Sequence, residues 1–359
     1  MKKSWKALAL GLTLSLCVAS FGACSKKDET TEEKTSATTV ETESESESES
    51  ESESESESES ESESATEATS EDTASETFEE GYPVELTDIY GNKAVVNAKP
   101  KRVVSVSPAC TELIYSLGVE DTLVGRTNYC NYPEAAQSIE TIGDINAPDV
   151  EKIISLEPDL VIADSIFPED AYNQLTGLGI NVVILNQEKV VDGVYTKIEN
   201  MGKIFHVEDK ANEVIAEMKA KIDGVQDALK DVKNHPSVYY VVSFGEGGDW
   251  TATGDTFIND IIELSGAENV AKSGSNWAYN AEDLIAQDPE IIIIPSWADG
   301  TFQTTAPYSE LTAVKEGNVI VLDSTDMLDR QCARNADAVE MLAKLIFPEC
   351  FEGTEEKAA

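Results

Sequence analysis

The chain has 359 residues, of which 26 are Lys or Arg and 69 are Asp or Glu, so its formal net charge at pH 7 is −43. This acidic excess excludes a nucleic-acid-binding function, because such affinity comes from neutralising phosphates with Lys and Arg. Two His residues are too few for a receptor of bare zinc or manganese ions, which would need His and carboxylate ligands.

The first residues have the pattern of a signal peptide. Lysines precede an apolar stretch over residues 7–20, which is shorter than the roughly 20 apolar residues of a membrane-spanning helix. Small residues then precede Cys24. Residues 1–23 resemble a bacterial lipoprotein signal, which implies cleavage before Cys24, lipidation of that residue and an acyl anchor in the membrane. An ordinary cleaved signal is the alternative.

Residues 24–80 are dominated by Glu and Ser, with eleven consecutive Glu-Ser dipeptides over residues 43–64. So few apolar residues cannot offset the entropy of ordering the chain, and like charges extend it. The composition predicts a disordered acidic tether that holds the following domain away from the membrane. A calcium-binding tail is less favoured, because single carboxylates on a flexible chain make poor calcium cages.

Residues 81–190 predict an N-terminal α/β lobe, since short apolar strands alternate with amphipathic helices. The predicted elements are a hairpin at 84–96, strands at 103–106, 123–126, 160–163 and 181–185, and helices at 108–117, 150–156 and 171–178.

Residues 191–235 predict two linking helices. The second, at about 209–232, would be roughly 35 Å long. Residues 236–352 predict a C-terminal α/β lobe. Its predicted elements are strands at 238–243, 291–294 and 319–322, and helices at 256–264, 281–287 and 337–345.

Two segments, 150–163 and 281–294, are near-copies of each other. Aligned without gaps, Glu151 meets Glu282 and Pro158 meets Pro289. Each copy predicts a helix, a turn and a buried strand. Two similar lobes with a ligand cleft between them would explain the repeat, although α/β proteins in general reuse such a unit.

These segments, in this order, resemble the extracytoplasmic receptors of ABC importers for cobalamin and ferric siderophores, over about residues 88–351. The layout is most similar to the cobalamin receptors, notably the Ser107-Pro108 helix start and the loop at 129–133. The resemblance rests on RVVSVSPACTELIYSLGVEDTLVGRTNYCNYPEAA, DVEKIISLEPDLVIA, LGINVVIL, ELSGAENVA and EDLIAQDPEIIII.

The resemblance implies two Rossmann-like α/β lobes joined by one long rigid backbone helix, with a ligand cleft between them. It implies a monomeric binding protein, not an enzyme, that delivers its ligand to an ABC permease dimer with ATPase subunits. The implied ligand is a corrinoid of the cobalamin type. A ferric siderophore or haem is the alternative, and a surface or adhesive lipoprotein without transport function is a remote one.

Such a ligand already carries its metal, so the cleft needs aromatic faces and a few hydrogen bonds rather than metal ligands or a cofactor. In open α/β sheets these groups lie beyond the carboxyl ends of strands. By resemblance, Tyr129 and Trp277 match stacking positions, whereas Ile145 and Asp164 stand where cobalamin receptors have tryptophan. Loop packing is the alternative for Trp250 and Trp297. The predicted aromatic ligand contacts are Tyr129, Tyr132, Trp250, Trp277 and Trp297.

Charged residues supply two further predictions. Arg330 and Arg334 would hold a carboxylate, a phosphate or an anionic chelate, with a salt bridge at a helix start as the alternative. Glu151 and Glu282 would dock on permease arginines, as the resemblance implies. Stabilisation of a helix N-terminus by a negative charge is the alternative for both.

Cysteines and one glycine-rich loop leave other possibilities open. Cys110 and Cys130 follow adjacent strands and are candidates for a disulfide, with Cys332 as an alternative partner and Cys350 as the fourth thiol. The loop at 245–249 follows a strand as a phosphate loop would. It lacks the Gly-Lys-Ser/Thr ending, and its two acids would repel phosphate, which argues against an enzyme.

Overall fold

The computed structural model of the protein describes residues 79–352. The predicted signal peptide, the lipidation site at Cys24 and nearly all of the tether lie outside the described residues. None of the helices over 79–352 combines the length and the apolar character that crossing a membrane requires.

A β-hairpin comes first, as predicted. Strand β1 (Val84–Thr87) pairs antiparallel with β2 (Lys93–Val96). Asp88 makes the turn, because its carboxylate accepts backbone hydrogen bonds from Tyr90 and Asn92 at 2.9 Å.

The first lobe contains a parallel four-stranded sheet. Two of its helices start at side-chain caps: Ser107 accepts from the amide of Cys110, and Asp149 from that of Lys152. The strand order is β4-β3-β5-β6. The elements are β3 (Val103–Ser105), α1 (Pro108–Ser116), β4 (Leu123–Arg126), α2 (Val150–Ser155), β5 (Leu160–Asp164), α3 (Glu169–Gly177) and β6 (Asn181–Leu185), with 3₁₀ turns at Glu120–Thr122 and Glu134–Ser138.

Two helices connect the lobes. Helix α4 (Val191–Phe205) ends at His206, whose backbone is left-handed with φ of 51°. Helix α5 (Glu208–Leu229) has 22 residues and is therefore about 33 Å long. Its buried side chains recur at helical spacing, and they are Ala211, Val214, Ile215, Met218, Ile222, Val225 and Leu229.

The second lobe contains a mixed sheet, in which the two-residue strands are too short to be recognised from periodicity. The strands are β7 (Ser237–Ser243), β8 (Asp249–Thr251), β9 (Glu268–Asn269), β10 (Ala278–Tyr279), β11 (Ile291–Pro295) and β12 (Val319–Leu322). The helices are α6 (Phe257–Leu264), α7 (Ala281–Gln287), α8 (Asp299–Phe302), α9 (Thr312–Glu316), α10 (Asp326–Asp329), α11 (Asn335–Ile346) and α12 (Pro348–Phe351), with 3₁₀ turns at Ser296–Ala298 and Tyr308–Glu310.

The sequence repeat corresponds to a structural repeat. Strand β5 lies between β3 and β6, and β11 lies between β7 and β12, each pairing in parallel. Strand β9 pairs in parallel with β7 on its other side, so the order β4-β3-β5-β6 recurs as β9-β7-β11-β12. The predicted fold class, with two α/β lobes, is confirmed. In parallel sheets the carboxyl ends share one edge, and this edge positions the candidate site.

The largest apolar core passes through both lobes. It includes Leu113 of the first lobe, Met201 and Met218 of the connecting helices, and Ile261 and Leu342 of the second lobe. Two smaller clusters cover the other faces of the two sheets. The connecting helices are therefore part of the packed interior and not a linker between independent units.

Candidate functional site

A cavity of about 200 Å³ lies between the lobes at the carboxyl ends of the strands. Its walls are residues 107–109, 145, 164–166 and 187 of the first lobe, Lys197 of α4, and residues 329–331 of the second lobe. A larger groove, of about 810 Å³, lies at the opposite edge of the second sheet around Pro236 and Phe347. None of the predicted site residues lines that groove, so the smaller cavity is the better candidate.

A buried ion pair forms part of the cavity wall. Lys197 is 3% exposed, and its Nζ lies 2.7 Å from Oδ1 of Asp164. Ser107 Oγ donates a hydrogen bond to the other carboxylate oxygen. Burial opposes the charge on Lys197, but the Asp164 carboxylate outweighs it and raises the pKa of Lys197 above its ordinary value. Lys197 is therefore protonated at physiological pH, and its charge faces Asp164.

A second charged cluster joins the lobes. Glu112 of α1 is 3% exposed. Arg330 Nη1 donates to its Oε1 at 2.8 Å, and Arg334 donates to both carboxylate oxygens at 2.7 Å. The thiol of Cys332 also donates to it, at 3.1 Å. Arg330 thus lines the cavity, and the charges of Arg330 and Arg334 are directed at a carboxylate of the protein itself.

Amide hydrogen bonds reinforce this junction. The side chain of Gln331 exchanges two hydrogen bonds with the backbone of Glu188, at 2.8 and 2.6 Å. Asn131 accepts from Arg330 at 2.7 Å and donates to Asp326 at 3.2 Å. The loop after β12 is therefore fixed to the first lobe by side chains on both sides of the cavity.

The two predicted tyrosines lie at this junction and are about half exposed. Arg330 donates to the carbonyl oxygen of Tyr129 at 3.3 Å, and the guanidinium of Arg334 lies 3.9 Å from the ring centroid of Tyr132. The hydroxyl of Tyr129 donates to Asp144 at 2.9 Å, and this bond to a carboxylate raises the pKa of Tyr129. The structure therefore brings Tyr129, Tyr132, Arg330 and Arg334 together.

The three predicted tryptophans belong to the second lobe, and none lines the cavity. Trp250 is exposed on β8, opposite Ala278 of β10. Trp297 is 63% exposed and stacks on Phe244, with ring centroids 6.2 Å apart. Trp277 is half-buried, packs against the large core and has a left-handed backbone with φ of 64°.

Glu151 and Glu282 occupy equivalent positions in the first turns of α2 and α7. Both are exposed. Asp149 and Asn280 already cap these helices. Neither glutamate side chain has a hydrogen bond or ion pair within residues 79–352, so both carboxylates are available to a partner.

The predicted disulfide between Cys110 and Cys130 is wrong for this structure, in which all four cysteines of the described residues are free thiols. Each of the buried thiols has another environment. Cys130 Sγ lies 3.1 and 3.2 Å from the hydroxyls of Thr111 and Thr127, and Cys332 donates to Glu112. Burial raises the pKa of Cys110, and that of Cys332, well above the ordinary value.

Comparisons with known proteins identify the family. A model of the periplasmic binding protein family matches residues 103–325. The chain belongs to this family. Its members bind solutes for ABC importers and are not enzymes, so this chain is an extracytoplasmic solute-binding protein, in agreement with the resemblance noted in its sequence.

Individual relatives support the same assignment. The ABC transporter substrate-binding lipoprotein YvrC of Bacillus subtilis is 31% identical over 279 residues, which is 76% of this chain and 88% of YvrC. A cobalamin-binding protein of Halobacterium salinarum is 28% identical over 276 residues, or 73% of each chain. The structure of the heme-binding protein RhuT from Roseiflexus sp. RS-1 has a TM-score of 0.63 at 23% identity, covering 70% of this chain and 99% of RhuT.

Two residues of this periplasmic binding protein were missed in the sequence. Glu112 lies within a fully buried run of α1, and Lys197 lies in the buried stripe of α4. A charged residue on an apolar helical face needs an opposite charge, and this signal could have identified both.

Ile145 and Asp164 also line the cavity, so the positions that depart from the cobalamin receptors are cavity positions. Over residues 79–352, no cluster of His, Cys, Asp or Glu could hold a metal ion.

Proposed function

We propose that this solute-binding protein captures a corrinoid between its lobes and delivers it to an ABC permease dimer. The observation that carries the proposal is the set of large aromatic side chains exposed near the carboxyl ends of the strands in both lobes, Tyr129 and Tyr132 in the first and Trp250 and Trp297 in the second. Exposed aromatic faces suit a large, flat-faced ligand that already contains its metal.

The size of the cavity defines how such a ligand would bind. Sites for small ligands usually have roughly 300–1,000 Å³, whereas this cavity has about 200 Å³. It accommodates one edge or side arm of a corrinoid. The remaining faces would lie against the exposed tyrosines and tryptophans outside the cavity.

The choice of a corrinoid over haem or a ferric siderophore rests on the relatives. The Halobacterium relative and several others are named for binding cobalamin or vitamin B12. The heme-binding protein RhuT, at 23% identity, is similar to this chain in its fold alone, so it does not favour haem as the ligand. The paired arginines also leave no evident binding site for the carboxylates of haem or of an anionic chelate.

Delivery would use the twin glutamates. Glu151 and Glu282 project from equivalent helices of two similar lobes, and neither carboxylate has a partner within residues 79–352. A permease dimer is two-fold symmetric, so one glutamate from each lobe could contact the same arginine-containing surface on each subunit. Lipidation of Cys24 and the acidic tether would keep the receptor near that permease on the outer side of the membrane.

Ligand titration tests the proposal. Tryptophan fluorescence of the full chain in detergent would be followed against cyanocobalamin, cobinamide, haem and ferric siderophores, with correction for ligand absorbance. We expect saturable quenching by corrinoids, weakened in Tyr129→Ala and largely retained in Tyr129→Phe, which keeps the ring. Leu178→Ala is the control, since Leu178 is exposed at the opposite edge of the first sheet.

Each other result has a defined meaning. Binding of haem or ferric chelates without corrinoids would move the protein to iron uptake. An absence of binding to every ligand would favour the surface or adhesive role.

A further inference from the structure

We infer that the cleft accepts corrinoids of zero or positive net charge and selects against those that carry an ionised carboxylate. The inference rests on the proposed function, because it names the subset of corrinoids that the same cleft would bind. It depends on the charged residues of the cleft loops. Most of these residues are either cations that are paired with protein carboxylates or acids.

The cations that could reach a ligand in the cavity are paired inside the protein. Lys197 is held by Asp164 at 2.7 Å, and Arg330 is held by Glu112 and Asp326 at 2.8 Å. Arg334 makes a two-fold contact with Glu112. A carboxylate on the ligand would have to break one of these pairs, and so expose an uncompensated charge, before it gained a cation of its own.

The remaining cations on these loops are also occupied or remote. Arg126 donates to the carbonyl oxygens of Ala136, Thr127 and Gln137. Lys272 forms a salt bridge with Glu268 at 2.8 Å. Lys189 is exposed and is not part of the cavity wall. Among the residues that the structure describes, the cations that line the cavity are Lys197 and Arg330, and each has a protein carboxylate as its acceptor.

Carboxylates on the same loops are more numerous, and most keep some solvent exposure. They give the rim a negative potential, which repels an anionic ligand and attracts a cationic one. The exposed aromatic rings act in the same direction, since their faces attract cations. These acids are Asp144, Glu188, Glu246, Asp249, Asp299 and Asp323.

A matched ligand series tests the inference with the full chain. Cyanocobalamin is neutral, cobinamide in its aquacyano form is cationic, and a cobalamin monocarboxylic acid differs from cobalamin by one side-chain amide replaced with a carboxylate. At low salt we expect the monocarboxylate to bind about tenfold more weakly than cyanocobalamin, and cobinamide at least as tightly. The difference should narrow at high salt, where surface charges are screened.

A variant that frees the cleft cations gives the second arm. Glu112→Gln removes the charge that holds Arg330 and Arg334, so it should narrow the difference between the monocarboxylate and cyanocobalamin by at least half. If Glu112→Gln does not fold, Asp326→Asn is the substitute. It removes the partially exposed partner of Arg330 and should also narrow the difference in affinity between the monocarboxylate and cyanocobalamin. Glu217→Gln, on the solvent-exposed face of α5, removes an equal charge elsewhere and should leave the ratio unchanged.

The two proposals fail in different ways. Equal or tighter binding of the monocarboxylate by the wild type would overturn the charge selectivity and leave the corrinoid receptor intact. A ratio that shifts equally in Glu112→Gln and Glu217→Gln would overturn the role assigned to the paired arginines. No binding of any corrinoid would overturn the proposed function, and this inference with it.

Discussion

Arg334 donates to both carboxylate oxygens of Glu112 at 2.7 Å, and this two-fold contact joins the second lobe to the first. The geometry matches the planar fork of a guanidinium to a carboxylate. Arg330 adds a third charged hydrogen bond to the same acid, at 2.8 Å. One buried carboxylate therefore connects α1 with the loop after β12.

Removal of Glu112 should destabilise the fold strongly. In Glu112→Ala, two arginines lose their common partner at a partly desolvated site, and breaking such a buried pair costs about 3–5 kcal/mol. Urea unfolding followed by circular dichroism measures the free energy of unfolding. Glu217→Ala, on the exposed face of α5, should change it by less than about 0.5 kcal/mol. A loss below about 1 kcal/mol in Glu112→Ala would show that water compensates the arginines.

The stabilisation that the Lys197–Asp164 pair gives to the folded state should decrease as the pH rises in the alkaline range. The pKa of Lys197 is raised above its ordinary 10.5, so the folded state binds the proton more tightly than the unfolded state. Its stabilisation is therefore fully present below about pH 10.5 and is lost as the pH rises through the raised value. Lys197→Met should lack this part of the pH dependence.

The measurement is the free energy of unfolding between pH 8 and pH 11, compared between the wild type and Lys197→Met. The difference between the two proteins should shrink toward the alkaline end. The double variant Lys197→Met/Asp164→Asn removes both charges and should recover part of the loss at neutral pH. A difference that stays constant across the range would contradict the assigned charge state.

Gly254 should tolerate no side chain. A Cβ at this position would overlap the carbonyl oxygen of Lys272, and a backbone atom cannot move aside as a flexible side chain can. Gly254→Ala should therefore cost about 1–3 kcal/mol and should disturb the neighbouring contact between Thr253 and the amide of Trp277. Thermal unfolding measures the first effect and tryptophan emission the second.

Gly300→Ala is the matched control. Gly300 lies in α8, and a Cβ there would meet nothing within 4 Å. This substitution should leave stability unchanged or raise it slightly, because alanine restricts the unfolded chain. Equal melting temperatures for the two variants would mean that the segment around Gly254 yields easily.

The twin glutamates should act in delivery and not in ligand binding. In proteoliposomes that contain the cognate permease and ATPase subunits, Glu151→Gln and Glu282→Gln should each reduce ligand-dependent ATP hydrolysis about tenfold, since each removes a charged contact. The Kd for the ligand in the absence of permease should not change. A fall in ligand affinity would instead place these residues in the cleft, and unchanged hydrolysis would remove them from docking.

Local patterns predicted much of the fold. The helix-turn-strand units at α2/β5 and α7/β11 were recognisable because apolar periodicity and a turn proline are properties of neighbouring residues. Strands β9 and β10 have two residues each and leave no periodic signal. Their pairing depends on β7 and β8, which only the folded sheet brings into position.

The site could be predicted only in part, because its charges are paired over long sequence separations. The location of Arg330 and Arg334 beside the cleft followed from the strand that precedes them. Their partner did not, since Glu112 lies 218 and 222 positions away. Tyr129, Tyr132 and the three tryptophans remain predictions as ligand contacts, because their roles depend on loop positions with a ligand present.

The continuous apolar core has a consequence for how empty and loaded receptors compete for the permease. Opening the lobes widely would expose core around Met201 and Met218 to water, so we expect empty and loaded receptors to have nearly the same shape. An empty receptor would then present Glu151 and Glu282 at nearly the same separation as a loaded one and would compete for the same docking surface. Uptake would depend on the fraction of receptors that are loaded, and an excess of empty receptors would slow it.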